Sequence, residues 1–291
     1  MLKGSMVAIV TPFDQNGQFD EEKYRQLIEF QIEKGTDAIV PVGTTGESAT
    51  LDFDEHERVI KACIEQVAGR IPVVAGTGAN STSEAIRLSK NAKKMGADGL
   101  LLVCPYYNKP SQEGVFLHYQ AIAEAVALPQ VLYNVPGRTG TNMTSETTAR
   151  LAEIDNIVAI KEASGNVTQV SEILAKAGDK IDVISGDDFL TFPMMACGAK
   201  GVISVSANVI PDRVKAMVEA CQNGRWEEAR WQHLELLDFH TAMFIEANPV
   251  AVKTAMALMG KCEPNVRLPL APLQPESLEK LQDVLTRYRV I

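Results

Sequence analysis

The feature that most constrains the fold is a recurring unit, a short apolar run followed by an amphipathic helical pattern. The runs start roughly 20 to 35 residues apart, which is about the length of one βα unit. They lack polar alternation, which is typical of parallel strands that are buried on both faces. Eight runs have this character: Met6–Val10, Ala38–Val42, Pro72–Ala75, Gly99–Val103, Gln130–Tyr133, Ile157–Ile160, Ile181–Ile184 and Gly201–Val205.

Eight parallel strands with helices between them favour an α/β fold, the closed (β/α)8 TIM barrel. The competing architecture is an open, doubly wound sheet that binds a dinucleotide. Gly76-Thr-Gly78 follows a strand, as that architecture requires, but Ser81 stands where the third glycine of the dinucleotide motif belongs. The chain also has no Walker A sequence, so support for nucleotide binding is weak.

Three helical patterns remain after the eighth unit and its helix, more than a barrel needs. They run over Arg225–Phe244, Pro249–Met259 and Pro275–Arg287. We therefore expect residues 1–223 to form the barrel and residues 224–291 to form a C-terminal helical region. Asn248-Pro249 is interpreted as a helix cap followed by proline at the first helical position.

Charge and cysteine usage exclude several function classes. The net charge of −9 argues against nucleic acid or an anionic membrane as a partner, because both attract clustered positive charge. No apolar run reaches the length of about 18 residues that a membrane span needs. The cysteines are five and scattered, which indicates reduced thiols in the cytoplasm. The four histidines form no ligand cluster, so we expect no metal and no cofactor.

Reactive side chains of a (β/α) barrel lie at the carboxyl ends of its strands. Polar residues gather at these ends in this chain, in the segments 43–47, 104–108, 133–139, 161–162 and 185–188. Lys161 directly follows an apolar strand, where desolvation favours the neutral amine that can attack a carbonyl. The alternative is a lysine that reaches solvent or pairs with a distant acid. Glu162 should point to the opposite face of the strand.

Other strand ends carry groups that suit a carboxylate-bearing substrate. The hydroxyls of Tyr133 and Thr44 can relay protons, and the turn at Thr44–Thr45 offers peptide N–H groups to an anion. Arg138 can bind a second carboxylate bidentately. Each has a plainer interpretation: Tyr133 as a packing residue, the turn as a simple connection, and Arg138 as a surface arginine.

Long motifs in order resemble the dihydrodipicolinate synthase family of pyruvate-dependent class I aldolases and lyases. The similarity runs from Gly4 to about Leu270. It lies in Val-Gly-Thr-Thr-Gly-Glu-Ser (42–48), Ala-Gly-Thr-Gly-Ala-Asn (75–80), Pro-Tyr-Tyr-Asn-Lys-Pro-Ser-Gln-Glu-Gly (105–114), Tyr-Asn-Val-Pro-Gly-Arg-Thr (133–139), Ile-Lys-Glu-Ala-Ser-Gly (160–165) and Ser-Gly-Asp-Asp (185–188).

The resemblance implies condensation of pyruvate with L-aspartate 4-semialdehyde to 4-hydroxy-tetrahydrodipicolinate, an early step towards diaminopimelate and lysine. Lys161 would form the Schiff base, and Arg138 would bind the carboxylate of the aldehyde. The remaining implied roles are the proton relay of Thr44, Tyr107 and Tyr133, with Tyr107 entering a neighbouring subunit's site, and the pyruvate pocket of Thr45, Gly186 and Ile203. A homotetramer, a dimer of dimers, is the implied assembly.

The resemblance also implies a regulatory site for L-lysine between two subunits, formed by Ser48, Ala49, His56, Asn80, Glu84 and Tyr106. Glu84 would pair with an amino group, although it also fits a capping box with Ser81. His56 also fits a solvated helix face. Phe53 stands where some lysine-sensitive relatives have histidine, so we expect L-lysine to inhibit this chain more weakly than it inhibits those relatives.

Two alternatives stay open. Another Schiff-base pyruvate aldolase, such as a sialic-acid or ketodeoxy-sugar-acid lyase, would share Lys161 and Tyr133 but not the need for Arg138. A non-catalytic barrel that binds a small molecule is favoured only if the lysine or the tyrosine is missing, and both are present.

Overall fold

The computed structural model of the chain describes residues 2–291 and confirms the barrel. All eight predicted runs contain a strand, with ends that differ by a few residues. The largest consequence is at the sixth strand, which continues through Lys161 and Glu162. The strands are β1 (Gly4–Ala8), β2 (Ala38–Val40), β3 (Val74–Gly76), β4 (Gly99–Val103), β5 (Gln130–Asn134), β6 (Ile157–Glu162), β7 (Asp182–Ser185) and β8 (Gly201–Ser204).

The sheet closes on itself. Its strands lie in the order β2-β1-β8-β7-β6-β5-β4-β3, and every neighbouring pair is parallel. A single parallel bridge between Ile39 and Val73 joins β2 to β3. All strands therefore present their carboxyl ends at one mouth, where the loops that carry the polar segments meet.

The barrel interior is packed with apolar side chains, so it is a core and not a pore. Residues from alternate positions of the strands fill it, which explains why the apolar runs show no polar alternation. The buried members of this cluster are Met6, Ala8, Ala38, Val40, Val74, Leu101, Val131, Tyr133, Val135, Ala159, Ile184 and Ile203.

A second and larger apolar layer lies between the sheet and the helices. The helices are α1 (Glu21–Glu33), α2 (Phe53–Val67), α3 (Thr82–Met95), α4 (Gln112–Ala125), α5 (Pro136–Thr139), α6 (Ser145–Leu151), α7 (Val167–Ala177), α8 (Thr191–Cys197), α9 (Pro211–Gln222), α10 (Trp226–Ala242), α11 (Val250–Leu258) and α12 (Pro275–Arg287). Short 3₁₀ turns cover Ser48–Thr50, Asp188–Leu190 and Ser206–Asn208.

The C-terminal helices α10 and α11 pack on the barrel instead of standing apart from it, and α12 lies against these two helices. α10 lies against α8 and α9, and α11 lies against the turn at Ser206–Asn208. The prediction that Asn248 caps a helix is wrong, because α11 begins at Val250 and the Asn248 side chain bonds elsewhere. Across residues 2–291, no helix combines the length and the apolar character needed to cross a bilayer.

Candidate active site

Lys161 lies inside the mouth of the barrel. It follows Ala159 on the inward-facing side of β6 and is only 5% exposed. Tyr133 is its direct neighbour in the register of β5 and β6, and the Lys161 Nζ lies 4.2 Å from the centre of the tyrosine ring. No carboxylate within residues 2–291 forms an ion pair with this amine. The structure thus presents a buried amine without a counter-ion beside a phenol.

Two predicted pocket residues shape the space around Lys161. A Cβ added at Gly186 would lie 3.0 Å from Lys161 Cε and 2.7 Å from Ala163 Cβ, so only glycine leaves the lysine side chain its room. Ile203, on β8, is buried in the barrel interior with Tyr133. Glu162 points away from the lysine, as predicted, and accepts hydrogen bonds from Asn134, Gln169 and the Ser164 N–H.

The turn after β2 has the character of an anion site. Val42 and Glu47 have φ values of 54° and 56°, and this left-handed geometry makes the tight turn between them. The peptide N–H groups of Thr44 and Thr45 have no acceptor in the part of the chain that the structure describes. The Thr45 hydroxyl accepts a hydrogen bond from Asn248 Nδ2 at 3.0 Å. Unpaired N–H groups at such a turn favour a bound anion.

Asp187 is a buried carboxyl group that lies within the electrostatic influence of Lys161, although the two form no ion pair. Burial raises its pKa to about 6, and the lysine charge opposes that rise. Asp187 follows β7 and was noted in the sequence only as part of a polar strand end. Its neighbour Asp188 is fully committed, because it accepts hydrogen bonds from the Val205 and Ser206 N–H groups and from the Ser204 hydroxyl.

Two of the predicted residues are not enclosed by the chain. Tyr107 is 89% exposed, so its aromatic side chain projects into solvent. Its φ of 74° lies in the left-handed region, which is strained for an aromatic residue. Arg138 lies on the short helix α5, also exposed, and forms no ion pair with residues 2–291. A free guanidinium at the mouth is compatible with binding a carboxylate.

The six residues predicted to form a lysine site come from four parts of the barrel: Ser48 and Ala49 follow β2, His56 lies on α2, Asn80 and Glu84 lie before and on α3, and Tyr106 follows β4. Asn80 Nδ2 donates to the Tyr106 carbonyl at 3.2 Å, and burial, assisted by the charge of Glu84, raises the pKa of the Tyr106 hydroxyl. His56 is buried and hydrogen-bonds the Gly76 carbonyl at 3.0 Å, so the interpretation as a solvated histidine is wrong.

The capping-box interpretation at the start of α3 is also wrong. Ser81 occupies the cap position but makes no capping hydrogen bond, and its hydroxyl contacts that of Ser83. Ser48 is half-buried and Ala49 is exposed. Within this set, the half-buried Glu84 forms no ion pair with residues 2–291, so its carboxylate is available to a ligand.

Sequence reasoning missed a buried ion pair under the turn that follows β2. Lys253 Nζ, on α11, lies 2.7 Å from Glu47 Oε1, with both side chains inaccessible to solvent. The Arg267 N–H donates to the other oxygen of Glu47 at 3.0 Å. Pairs separated by some 200 residues leave no local pattern. A glutamate inside an otherwise uncharged turn was the only available signal.

The fold and the site define the class of protein: a TIM barrel whose strand ends carry a buried amine without an ion-pair partner, a phenol, and a turn with free peptide N–H groups. Residues 1–288 match the sequence model of the dihydrodipicolinate synthetase family. The chain belongs to this family.

Relatives and solved structures resemble the chain along its whole length. It is 67% identical over 291 residues to the 4-hydroxy-tetrahydrodipicolinate synthase of Syntrophotalea carbinolica, covering 100% of this chain and 99% of the relative. It is 66% identical to that of Geotalea uraniireducens, with 100% of both chains covered.

Three solved structures have nearly the same backbone. The dihydrodipicolinate synthase of Aquifex aeolicus has a TM-score of 0.98 at 49% identity and 99% coverage of both chains. The chloride-inhibited enzyme of Acinetobacter baumannii, complexed with pyruvate, has a TM-score of 0.98 at 46% identity and 100% coverage of both. The lysine-bound enzyme of Cyanidioschyzon merolae has a TM-score of 0.96 at 41% identity and 99% coverage of both.

Proposed function

We propose that the chain is a lyase that condenses pyruvate with L-aspartate 4-semialdehyde to give 4-hydroxy-tetrahydrodipicolinate. The names of relatives at 66–67% identity support this activity. The single observation that carries the proposal is the buried amine of Lys161, which has no counter-ion and lies beside Tyr133 at the mouth of the barrel.

The reaction begins at Lys161. Its amine attacks the ketone carbon of pyruvate, water leaves, and a protonated imine forms. Loss of a proton from the methyl carbon gives an enamine, whose terminal carbon forms a new carbon–carbon bond to the aldehyde carbon. The amino group of the aldehyde substrate then attacks the imine carbon. This step closes the ring and releases the lysine amine.

The surrounding groups bind and transfer protons. The free N–H groups at Thr44 and Thr45 hold the pyruvate carboxylate. Gly186 leaves room beside the Lys161 side chain, and Ile203 lines the pyruvate pocket. The carbinolamine that forms before the imine gains and loses protons through a relay of hydroxyl groups. This relay consists of Thr44, Tyr133 and Tyr107.

Arg138 selects the second substrate. Its free guanidinium suits the carboxylate of a small aldehyde better than the hydroxyl groups of a sugar aldehyde. We therefore place the activity ahead of sialic-acid or ketodeoxy-sugar-acid cleavage. An aldehyde panel with the Arg138→Ala variant tests the choice: the KM for aspartate semialdehyde should rise, and turnover of a sugar acid by the wild type would contradict it.

Tyr107 points to an assembly larger than one chain. An exposed aromatic ring in a strained loop suits a contact with a second copy, and we propose a homotetramer built as a dimer of dimers in the cytoplasm. The polar cluster of Asn80, Glu84 and Tyr106 lies near this loop. We propose that it binds L-lysine as an inhibitor, with weaker effect because of Phe53.

The decisive experiment is reductive trapping. The protein is incubated with pyruvate and borohydride, and its intact mass and peptides are read. We expect one reduced pyruvate on Lys161. Lys253 is an internal control, because it is equally buried but paired with Glu47. An unlabelled chain, or label on Lys253, would refute the proposal.

A further inference from the structure

Asn248 connects the C-terminal region to the anion turn, defined here as Thr44–Glu47. It lies just before α11 and is buried, and its Nδ2 donates to Thr45 Oγ1 at 3.0 Å. The two residues are 203 positions apart in sequence. The contact therefore exists only because α11 packs against the mouth of the barrel.

The direction of this hydrogen bond decides what the Thr45 hydroxyl can do. A hydroxyl has one proton to donate and two lone pairs to accept with. Since it accepts from Asn248, its own proton is not used on the amide, and the hydroxyl donates no hydrogen bond to residues 2–291. A free O–H beside two free peptide N–H groups makes a third donor for an anion in the turn.

We propose that Asn248 is a positioning residue for the pyruvate carboxylate, acting through the Thr45 hydroxyl. This inference rests on the proposed function, because it takes the anion in the turn to be that carboxylate. The amide donates to Thr45 and thereby keeps the hydroxyl proton directed at the substrate.

The surroundings of Asn248 support a functional role over a purely structural one. Its Oδ1 is buried without a hydrogen-bond partner, which costs free energy and stabilises nothing in the free protein. A buried polar atom without a partner calls for an explanation, and a role in the site supplies one. The backbone of the turn is fixed independently by Lys253 and the Arg267 N–H at Glu47. Asn248 therefore orients the Thr45 hydroxyl and is not needed to hold the backbone of the turn.

The test is a double-mutant cycle of Asn248→Ala and Thr45→Val, with KM measured separately for pyruvate and for aspartate semialdehyde. Loss of one hydrogen bond to a carboxylate raises the pyruvate KM by about tenfold. We expect each single variant to show this rise with little change in the aldehyde KM. The double variant should be no worse than Thr45→Val, since Asn248 acts through that hydroxyl.

Asn248→Asp is the second variant, and it also serves if Asn248→Ala does not fold. Aspartate has nearly the same shape as asparagine, but its carboxylate can only accept hydrogen bonds. The Thr45 hydroxyl would therefore donate to the aspartate, and the negative charge would repel the pyruvate carboxylate. The pyruvate KM should rise further than in Asn248→Ala. A merely structural role predicts the opposite order, because the isosteric change would be the milder one.

The matched control is Asn156→Ala, which removes an amide that bonds the Ala123 and Val126 carbonyls before β6, at the opposite end of the barrel. It should lower stability and leave both KM values unchanged. Multiplicative effects in the cycle, or equal rises in both KM values, overturn the role of Asn248. Failure of the wild type to be trapped by pyruvate and borohydride overturns the proposed function itself, and the inference with it.

Discussion

The chain buries two lysines in opposite ways. Lys253, on α11 in the C-terminal region, is inaccessible to solvent and lies 2.7 Å from Glu47, with its Nζ 4.1 Å from the centre of the Phe13 ring. Lys161, at the barrel mouth, also lies over an aromatic ring but has no carboxylate in an ion pair. Burial lowers the pKa of Lys253, and Glu47 opposes that shift.

The difference separates a structural amine from a reactive one. A buried ammonium that is held by a carboxylate stays charged and inert, because its lone pair is protonated and its position is fixed. An amine without a carboxylate in contact is not held in one position, and it has room to move onto a carbonyl. Lys161 therefore has the freedom to react that the ion pair with Glu47 removes from Lys253.

The largest effect is expected from Lys161→Met. We expect activity to fall by about a thousandfold or more, since no other group can form the imine. Thermal stability should not fall, because an apolar side chain replaces a buried amine that has no partner. Lys180→Met is the control, because Lys180 forms a surface pair with Glu153 and should change neither property. A clear loss of stability in Lys161→Met would show that Lys161, like Lys253, stabilises the fold, and would contradict the comparison.

Lys253→Met should have the largest effect on stability. It leaves the Glu47 carboxylate buried without its ammonium, and we expect the free energy of unfolding to fall by about 3–5 kcal/mol in urea denaturation. Adding Glu47→Gln to the same chain should recover part of that loss, since the remaining charge is removed. A double variant less stable than Lys253→Met would show that the pair is not the source of the effect.

Tyr107→Phe tests whether a second chain completes the surroundings of Lys161, as the proposed assembly requires, because a single chain leaves the Tyr107 ring 89% exposed. We expect a loss of activity of about a hundredfold with no loss of stability, as for removal of one proton-transfer group. Mixing this variant with Lys161→Met and reassembling the chains should restore about a quarter of the wild-type activity, because half of the dimers are mixed and one of their two sites is intact. No recovery in the mixture would place Tyr107 in its own chain's site.

Asp187→Asn should give the smallest effect, and it is dependent on pH. Burial raises the pKa of Asp187 to about 6 in the folded protein, above its usual 3.8. The protonated acid thus favours folding, and this contribution is complete below pH 3.8 and lost as the pH rises through about 6. The variant should gain about 1–2 kcal/mol over wild type above pH 6, after allowance for partial exposure, and nothing at pH 4. Denaturation curves at the two pH values measure the gain.

The fold was largely predictable because its signals are local. The spacing of eight apolar runs predicted the eight strands, and α12 begins and ends where its pattern does, at Pro275 and Arg287. Local signals also misled. Asn248-Pro249 looks like a helix cap, but its amide contacts Thr45 across the molecule, and His56 looks solvated from its polar neighbours but is buried under Gly76.

The strand-end rule of a barrel made Lys161, Tyr133 and Thr44 candidates, because the carboxyl ends of parallel strands meet at one mouth. Position alone left their plainer interpretations open, and the family motifs around them carried the assignment. The exposure of Tyr107 and the pairing of Glu47 with Lys253 were decided only by the tertiary structure. The physical reason is range. Periodicity and turn chemistry act over a few residues and are written in the sequence, whereas the state of a buried charge depends on which partner is brought to it from 200 residues away.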